Sequence, residues 1–421
     1  MPITEQIKKL LKTGLDSKVF YLVKRIGAFA DKEGIKAYIV GGMVRDMFLK
    51  RKTLDIDIVV EGNGTEFARR LAYSFHGSYK KFDRFKTAKI FLKNRRIDVA
   101  SARTEIYAKP AALPKVDFTN LKKDLFRRDF TINAMAVCIN REKFGEFIDY
   151  FEGYKDLQLR VLRPLHNKSF IDDPTRILRL VRFETRFNFK IEHNTLLLLK
   201  KILKNDIFDI VPGERLRNEI LILLNEEEPL KAMLRLQQLN ILKKLNKNFW
   251  IDSSVIKLYK KLKIVKFVKD ENSGIIMRFM VFTSNLGIKA IAQLLNRLKF
   301  SNDWKKIVLD AKQNSARILK GLNARKVKDS KIYDLLKRYM TETLLYFALI
   351  ADSKKAHDRI EHYIHVLKNA KIAISGKDLK DLGIKEGPEY RRILDKIMSA
   401  KIDGTAKNKA EQILLIKNTK K

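Results

Sequence analysis

Apolar residues change their period near residue 155. Downstream they recur every three or four positions almost to the end, as in "RILRLVRFETRF", "NTLLLLKKILK" and "PLKAMLRLQQLNILKKL". That is the spacing of a helix face. Proline is scarce there, and no convincing strand stands out. Upstream, short β-branched runs are cut by glycines and turn residues. "KAYIVGG" reads as a strand ending in glycines, "MVRDMFLK" as a short helix and "LDIDIVVEG" as a second strand. "TAKIFL" and "RIDVAS" flank the turn "KNR" and read as a hairpin, with "AMAVCI" and "EFIDYF" as further short strands. The pattern predicts an α+β head around a small mixed sheet, followed by an all-α remainder. "NEEEP" at 225–229 and "KDENSG" at 269–274 are the candidate linkers within the helical part.

Charge narrows the partners. Lys and Arg number 88 against 49 Asp and Glu, a formal net charge of +39 spread over 421 residues. This implies a polyanionic partner, nucleic acid before acidic membrane, tracked over an extended surface. The lone cysteine, Cys138, excludes a disulfide framework and fits a reducing compartment. The N-terminal stretch has no signal-peptide core, and the longest apolar run, "TLLYFALIA", is too short to span a bilayer. The expectation is a soluble, cytoplasmic protein without membrane contact.

The run "TLDIDIVV" places Asp55 and Asp57 two apart in a strand, on one face. Neighbouring carboxylates repel, so one would tend to take a proton. A bound Mg²⁺ removes the conflict, because hard cations prefer carboxylate oxygens. Solvated acids on an edge strand are the plainer alternative. Just upstream, Gly41 and Gly42 lie between a strand and a helix, where backbone can approach a phosphate and N–H groups point outward. Arg45 follows within the first turn. Asp98, in "RRIDVAS", joins the acids if its strand neighbours theirs; otherwise it pairs with Arg95, Arg96 or Arg103. Three carboxylates would hold two Mg²⁺ ions, the arrangement for nucleotidyl transfer.

In "DDPTRILRLVRFETRF", Pro174 suits the first position of a helix and Asp173 its N-cap. Arg176, Arg179, Arg182 and Arg186 recur on one face, while Ile177, Leu180 and Val181 lie on another. Such a stripe is either a solvated surface or a clamp on phosphates. Asp173 and Arg176, three apart, can point into one site. A carboxylate beside a guanidinium offers an acceptor beside a donor. Cytosine and adenine present the matching amino donor and ring-nitrogen acceptor, whereas uracil and guanine present the reverse. Each unsatisfied polar group in a closed site costs about 1–3 kcal/mol. Two such errors give discrimination of about a thousandfold.

Taken together, "YIVGGMVRD", "LDIDIVV", "RRDFTINAMA" and "DDPTRILRLVRF", in that order over residues 38–187, resemble the class II tRNA nucleotidyltransferase family. That family includes bacterial CCA-adding enzymes and poly(A) polymerases. The resemblance implies a polymerase-β-like nucleotidyltransferase head over 1–155, a neck over 156–228 that selects the base, a body over 229–320 and a tRNA-binding tail over 321–421. It implies Asp55 and Asp57 as Mg²⁺ ligands, Asp98 as an acid assisting the attacking hydroxyl, and Gly41, Gly42, Arg45 and Arg128 as nucleotide contacts. Without the family, Arg128 reads as a helix-end arginine paired with Asp124 or Asp129. The resemblance also implies Asp173 and Arg176 as a protein template for the base, with Arg179 and Arg182 on the nucleotide. The family pattern begins Glu-Asp where this chain has Asp172-Asp173.

The implied reaction joins CMP or AMP, from CTP or ATP, to the tRNA 3′ hydroxyl, with the acceptor and T-arm region of the tRNA on the helical half. The region around 161–183 is similar to an A-adding branch, which would need a separate CC-adding partner enzyme. Full CCA addition, CC addition, poly(A) synthesis and RNA binding without catalysis are the alternatives. "PGERLRNEI" at 212–220 resembles a later neck motif with packing and RNA-proximal roles. The segment 105–124 carries two prolines and little periodicity and reads as a loop.

Overall fold

The computed structural model describes residues 3–51, 56–93, 95–106, 111, 115–264, 271–384 and 387–419. It divides into two compact units, Met1–Glu219 and Ile220–Lys421. The first unit is built on a seven-stranded mixed sheet. Its strands are β1 (Lys36–Val40), β2 (Ile56–Glu61), β3 (Ser78–Phe82), β4 (Thr87–Leu92) and β5 (Arg95–Ser101). Two more, β8 (Ala136–Cys138) and β9 (Phe147–Ile148), complete it. The spatial order is β3-β4-β5-β2-β1-β8-β9. Only the β2–β5 pair is parallel; the other neighbours are antiparallel.

Strand alternation decides what each face meets. Ile56, Ile58, Ala88, Ile90, Ile97 and Val99 are all buried, and the Gly64–Ser74 helix packs over this part of the sheet. Asn63 caps that helix by accepting from the Glu66 amide. Its first residue must be glycine, since a Cβ on Gly64 would stand 2.6 Å from the Ser101 amide nitrogen. Asp57, Val59, Asp98 and Ala100 lie on the opposite face. There Leu121 and Leu125, from the Leu121–Phe126 helix, form a core with Tyr38, Val40, Val59 and Ala136. That helix covers the β1, β2 and β8 part of the face.

Two expectations need correction. The 105–124 segment is not a plain loop: β6 (Arg103–Ile106) and β7 (Lys115–Phe118) pair antiparallel and lead into the Leu121–Phe126 helix. Four-residue strands separated by prolines are too short to display a period. The helical part also holds strand structure, because β10 (Val161–Leu162) and β11 (Lys190–Ile191) pair in parallel. Two residues carry no alternation to read.

From Pro229 onward every described element is helical. One core there gathers Leu336, Leu344, Phe347, Ile360 and Tyr363, and another Leu379, Ile397 and Ile416. Among the described residues no helix is long and apolar enough to cross a membrane.

Candidate active site

β1 is followed by Gly41, whose φ of +67° is left-handed backbone. A Cβ there would meet the Arg128 Nη1 at 2.6 Å, so only glycine lets that guanidinium lie against the turn. Gly42 opens the Gly42–Phe48 helix, whose first turns bring Arg45 inward. Arg45 is 5% exposed and donates to Asp46 and Asn133. Its guanidinium lies 4.5 Å from the centre of the Phe187 ring. Burial pushes its pKa down from the usual arginine value.

Next to the turn, β2 and β5 set Asp57 and Asp98 directly opposite one another in register. The two strands are thus neighbours, and Asp98 Oδ2 also lies 3.4 Å from Arg96, the pairing its plainer reading expects. Asp98 Oδ1 is buried and has no hydrogen-bond partner among the described residues. A buried carboxylate oxygen without a donor is costly, and it fits a cation that the adjacent acids would share. Asp55 lies outside the described residues. Among the rest, no group of three or more metal-type ligands occurs.

Beyond these acids opens a cavity of about 770 Å³. Gly41, Gly42, Arg45, Asp57 and Arg128 line its head side. Its other wall is the Thr175–Phe187 helix, which contributes Arg176, Arg179, Arg182 and Arg186. The first three arginines of the stripe are thus not a solvated surface, since Arg176 and Arg182 are 6% and 7% exposed and Arg179 is half-buried, whereas Arg186 at the far end is exposed. Ile177, Leu180 and Val181 occupy the core side, as their spacing predicts.

Buried guanidiniums need partners, and the cavity supplies them. Arg179 donates to Asp129 through Nε and Nη2, at 2.9 and 2.6 Å, and reaches Glu219 at 3.5 Å. Burial alone would raise the Asp129 carboxyl. The Arg179 charge, with hydrogen bonds from Asn133 and Arg179, outweighs it and holds Asp129 below the ordinary carboxylate range. Arg128 pairs with Asp124 at 3.1 Å, the plainer of its two readings, while still facing the cavity. Asp124 is fully buried; burial pushes its pKa up, but Arg127 and Arg128 overcome that and lower it.

Asp173 and Arg176 both face the cavity, each held mainly by neighbours in its wall. Arg176 donates to the Ser169 hydroxyl and to the Arg127 carbonyl, at 2.6 and 2.7 Å. Asp173 Oδ1 accepts from the Thr175 amide and hydroxyl, and its carbonyl accepts the Arg176 amide. The helix begins at Thr175 with Pro174 at the N-cap position, one residue later than the sequence suggests, so Asp173 lies just outside it while still accepting the Thr175 amide. Asp173 Oδ2 accepts from Arg215 at 2.7 Å. A carboxylate offers about four acceptor positions, and Arg215 occupies one of the two on Oδ2.

Sequence reasoning passed over Arg215, Glu219 and Asn133, and named Asp124 and Asp129 only as partners for Arg128, not as the acids that meet the site's other arginines. The "PGERLRNEI" stretch, to which the resemblance gives packing and RNA-proximal roles, supplies Arg215 and Glu219 to the site wall. A buried Arg-rich helix face signals that acids must come from elsewhere, but no local spacing says from where.

Three family models match the chain. Residues 37–163 match the "Poly A polymerase head domain", residues 188–251 the "probable RNA and SrmB-binding site of polymerase A", and residues 272–416 the "tRNA nucleotidyltransferase domain 2". The chain is 34% identical to the A-adding tRNA nucleotidyltransferase of Geobacter sulfurreducens over 97% of its own length and 48% of that relative. It thus spans about half the length of that protein. Against the A-adding tRNA nucleotidyltransferase of Halalkalibacterium halodurans, identity is 29% over 97% of this chain and 95% of the other. Among solved structures, the Thermotoga maritima CCA-adding enzyme complexed with tRNA is 34% identical, with a TM-score of 0.71 over 99% of this chain and 98% of that one. A CCA-adding enzyme in complex with ATP is likewise 34% identical, with a TM-score of 0.77 over 99% of each chain.

Proposed function

The chain belongs to the class II tRNA nucleotidyltransferase family, and on that premise we propose that it transfers AMP from ATP to the 3′ hydroxyl of tRNA. The single observation that carries this is the in-register Asp57–Asp98 pair on the rim of a cavity walled by arginines.

The triphosphate lies between the Gly41–Gly42 turn and Arg45, Arg128, Arg179 and Arg182. These cations are already fixed by Asn133, Asp124, Asp129 and Glu219, so little reorganisation is needed when phosphate arrives. The base lies against Asp173 and Arg176. The remaining acceptor position of Asp173 Oδ2 takes the adenine amino group, and a free Arg176 N–H donates to the ring nitrogen. Asp57 and Asp98 orient the acceptor hydroxyl, and Asp98 takes its proton. The 3′ oxygen then bonds to the α-phosphorus, the bond from that phosphorus to the bridging oxygen breaks, and pyrophosphate leaves.

The donor set fits a hard divalent cation such as Mg²⁺, held by Asp57 and Asp98 with Asp55 as the further ligand. When bound, such an ion polarises the phosphoryl oxygens and offsets the negative charge that develops there. The functional division follows the same reading: head over 1–155, base-selecting neck over 156–228, body over 229–320 and tRNA-binding tail over 321–421. A tRNA acceptor and T-arm would meet that helical half through shape and phosphate contacts.

A second reading, full CCA addition with CTP as well as ATP, is favoured by the likeness to CCA-adding enzymes over nearly the whole chain. An A-only enzyme would require a separate CC-adding partner enzyme. The test uses tRNA transcripts ending at the discriminator base, at C and at CC, each with Mg²⁺ and ATP, CTP or both, with products sized to one nucleotide. AMP on the CC-ending transcript alone is expected. CCA completed on the shortest transcript selects the second reading. Tight tRNA binding without incorporation overturns both.

A further inference from the structure

The carboxylate pair is the inner end of a row that crosses the sheet. Asp57, Asp98, Lys89 and Lys80 stand opposite one another on β2, β5, β4 and β3. Paired residues in a sheet share a face, so both lysines stand on the face that carries the acids. The Leu121–Phe126 helix belongs to a core that covers this face over β1, β2 and β8 and reaches Ala100 of β5, and that includes no residue of β3 or β4. Lys80 is exposed, and Phe91, one position further along β4 on the same face, is 43% exposed.

Neither lysine has an ion-pair partner among the described residues. Their ammonium groups lie 5.6 and 6.0 Å from the centre of the same ring, Phe82. Where the row reaches the acids, a second cavity of about 360 Å³ opens, bounded by Asp57, Asp98, Lys89, Thr87 and Arg128. It shares Asp57 and Arg128 with the large cavity, so Asp57 stands where the two meet and Asp98 lines the smaller one. Strand spacing of about 4.8 Å puts Lys80 roughly 10 Å from Asp98, the reach of a nucleotide or two.

Unpaired cations around aromatic rings on an open sheet form the usual surface for single-stranded RNA, with lysines on phosphates and rings under bases. Continuity with the acids fixes which strand. We propose that the β3–β4–β5 face is a track for the single-stranded 3′ end of the RNA acceptor, with Lys89 on the phosphate nearest the acids and Lys80 and Phe91 further out. This rests on the nucleotidyltransferase reading, because it places the 3′ hydroxyl at Asp57 and Asp98.

The test compares binding of two tRNA transcripts, one ending in CC and one trimmed of its single-stranded 3′ end. Wild type is expected to prefer the longer transcript. The Lys80→Ala/Lys89→Ala double variant loses about tenfold of that preference, and Phe91→Ala loses part of it. The log–log salt slope for the longer transcript falls by about 1.4 in the double variant, from about 0.7 per single-strand phosphate contact. Lys81→Ala, one residue along β3 from Lys80 and paired with Asp83, leaves the preference intact. Unchanged preference in the double variant, or an equal loss in Lys81→Ala, overturns the track. Binding is read separately from catalysis. A wild type that shows the preference but incorporates nothing therefore contradicts the proposed reaction and leaves the track standing.

Discussion

Two helices of this molecule are deeply buried, for opposite reasons. Thr341–Ile350, "TETLLYFALI", buries seven consecutive residues from Thr343 to Leu349. Its only internal polar groups are accounted for simply: Thr343 donates to the Ile307 carbonyl, and burial pushes the Tyr346 phenol up to about 12. Thr175–Phe187 buries Ile177, Leu178, Leu180 and Val181 on one side, and Arg176 and Arg182 on the other. Burying guanidiniums costs free energy unless acids and carbonyls meet them. The first helix is a hydrophobic scaffold. The second holds charge in a low-dielectric wall, an arrangement that makes sense where an anion is to be bound.

The contrast makes predictions that separate stability from chemistry. Phe347→Ala should cost about 3–5 kcal/mol, the usual range for a truncated core phenylalanine, read by urea denaturation. The choice between ATP and GTP should not move; a changed choice would break the contrast. Arg179→Ala leaves Asp129 buried without its ion-pair partner, with only the charges of Arg176 and Arg45 still acting on it. Removing one partner of a buried pair costs about 3–5 kcal/mol, and because the Arg179 side chain keeps 31% exposure the low end applies. AMP incorporation should fall together with stability, whereas a variant that loses stability alone would reduce this helix to scaffold. Arg176→Ala should relax discrimination against GTP and UTP by about 1–3 kcal/mol, the value of one unmet polar group. Ratios of kcat/KM for the four nucleotides measure it, and an unchanged ratio removes Arg176 from base selection.

The smallest effect is in the pH profile. Asp124 and Asp129 titrate below their unfolded value of about 3.9. Their contribution to stability is full above that value and disappears as pH falls through the lowered folded values. Stability measured from pH 6 downward should therefore decline below about pH 4. In Arg179→Ala the decline should be shallower, since Asp129 loses its main reason to stay ionised.

What could be read in advance follows the range of the interactions. Alternation and helical spacing are local, and they located β1, β2, β4, β5 and both faces of the Thr175–Phe187 helix. The Asp57–Asp98 adjacency depended on which strands pair, and the parallel β2–β5 register supplied it. The counter-charges were illegible because they lie far off in sequence: Asp129 is 50 residues from Arg179, and Asp173 is 42 from Arg215. Nothing in a local window links such residues. The β6–β7 and β10–β11 pairs escaped for the opposite reason, being too short to show a period.

The central claim is that Asp57 and Asp98 do chemistry on nucleotides held by the arginine wall. Single-turnover AMP incorporation by wild type and Asp57→Ala, with ATP and tRNA binding measured alongside, tests it most directly. Incorporation is predicted to fall on the order of a thousandfold or more, at least about 4 kcal/mol of barrier, while both substrates still bind. Incorporation within tenfold of wild type would contradict the account.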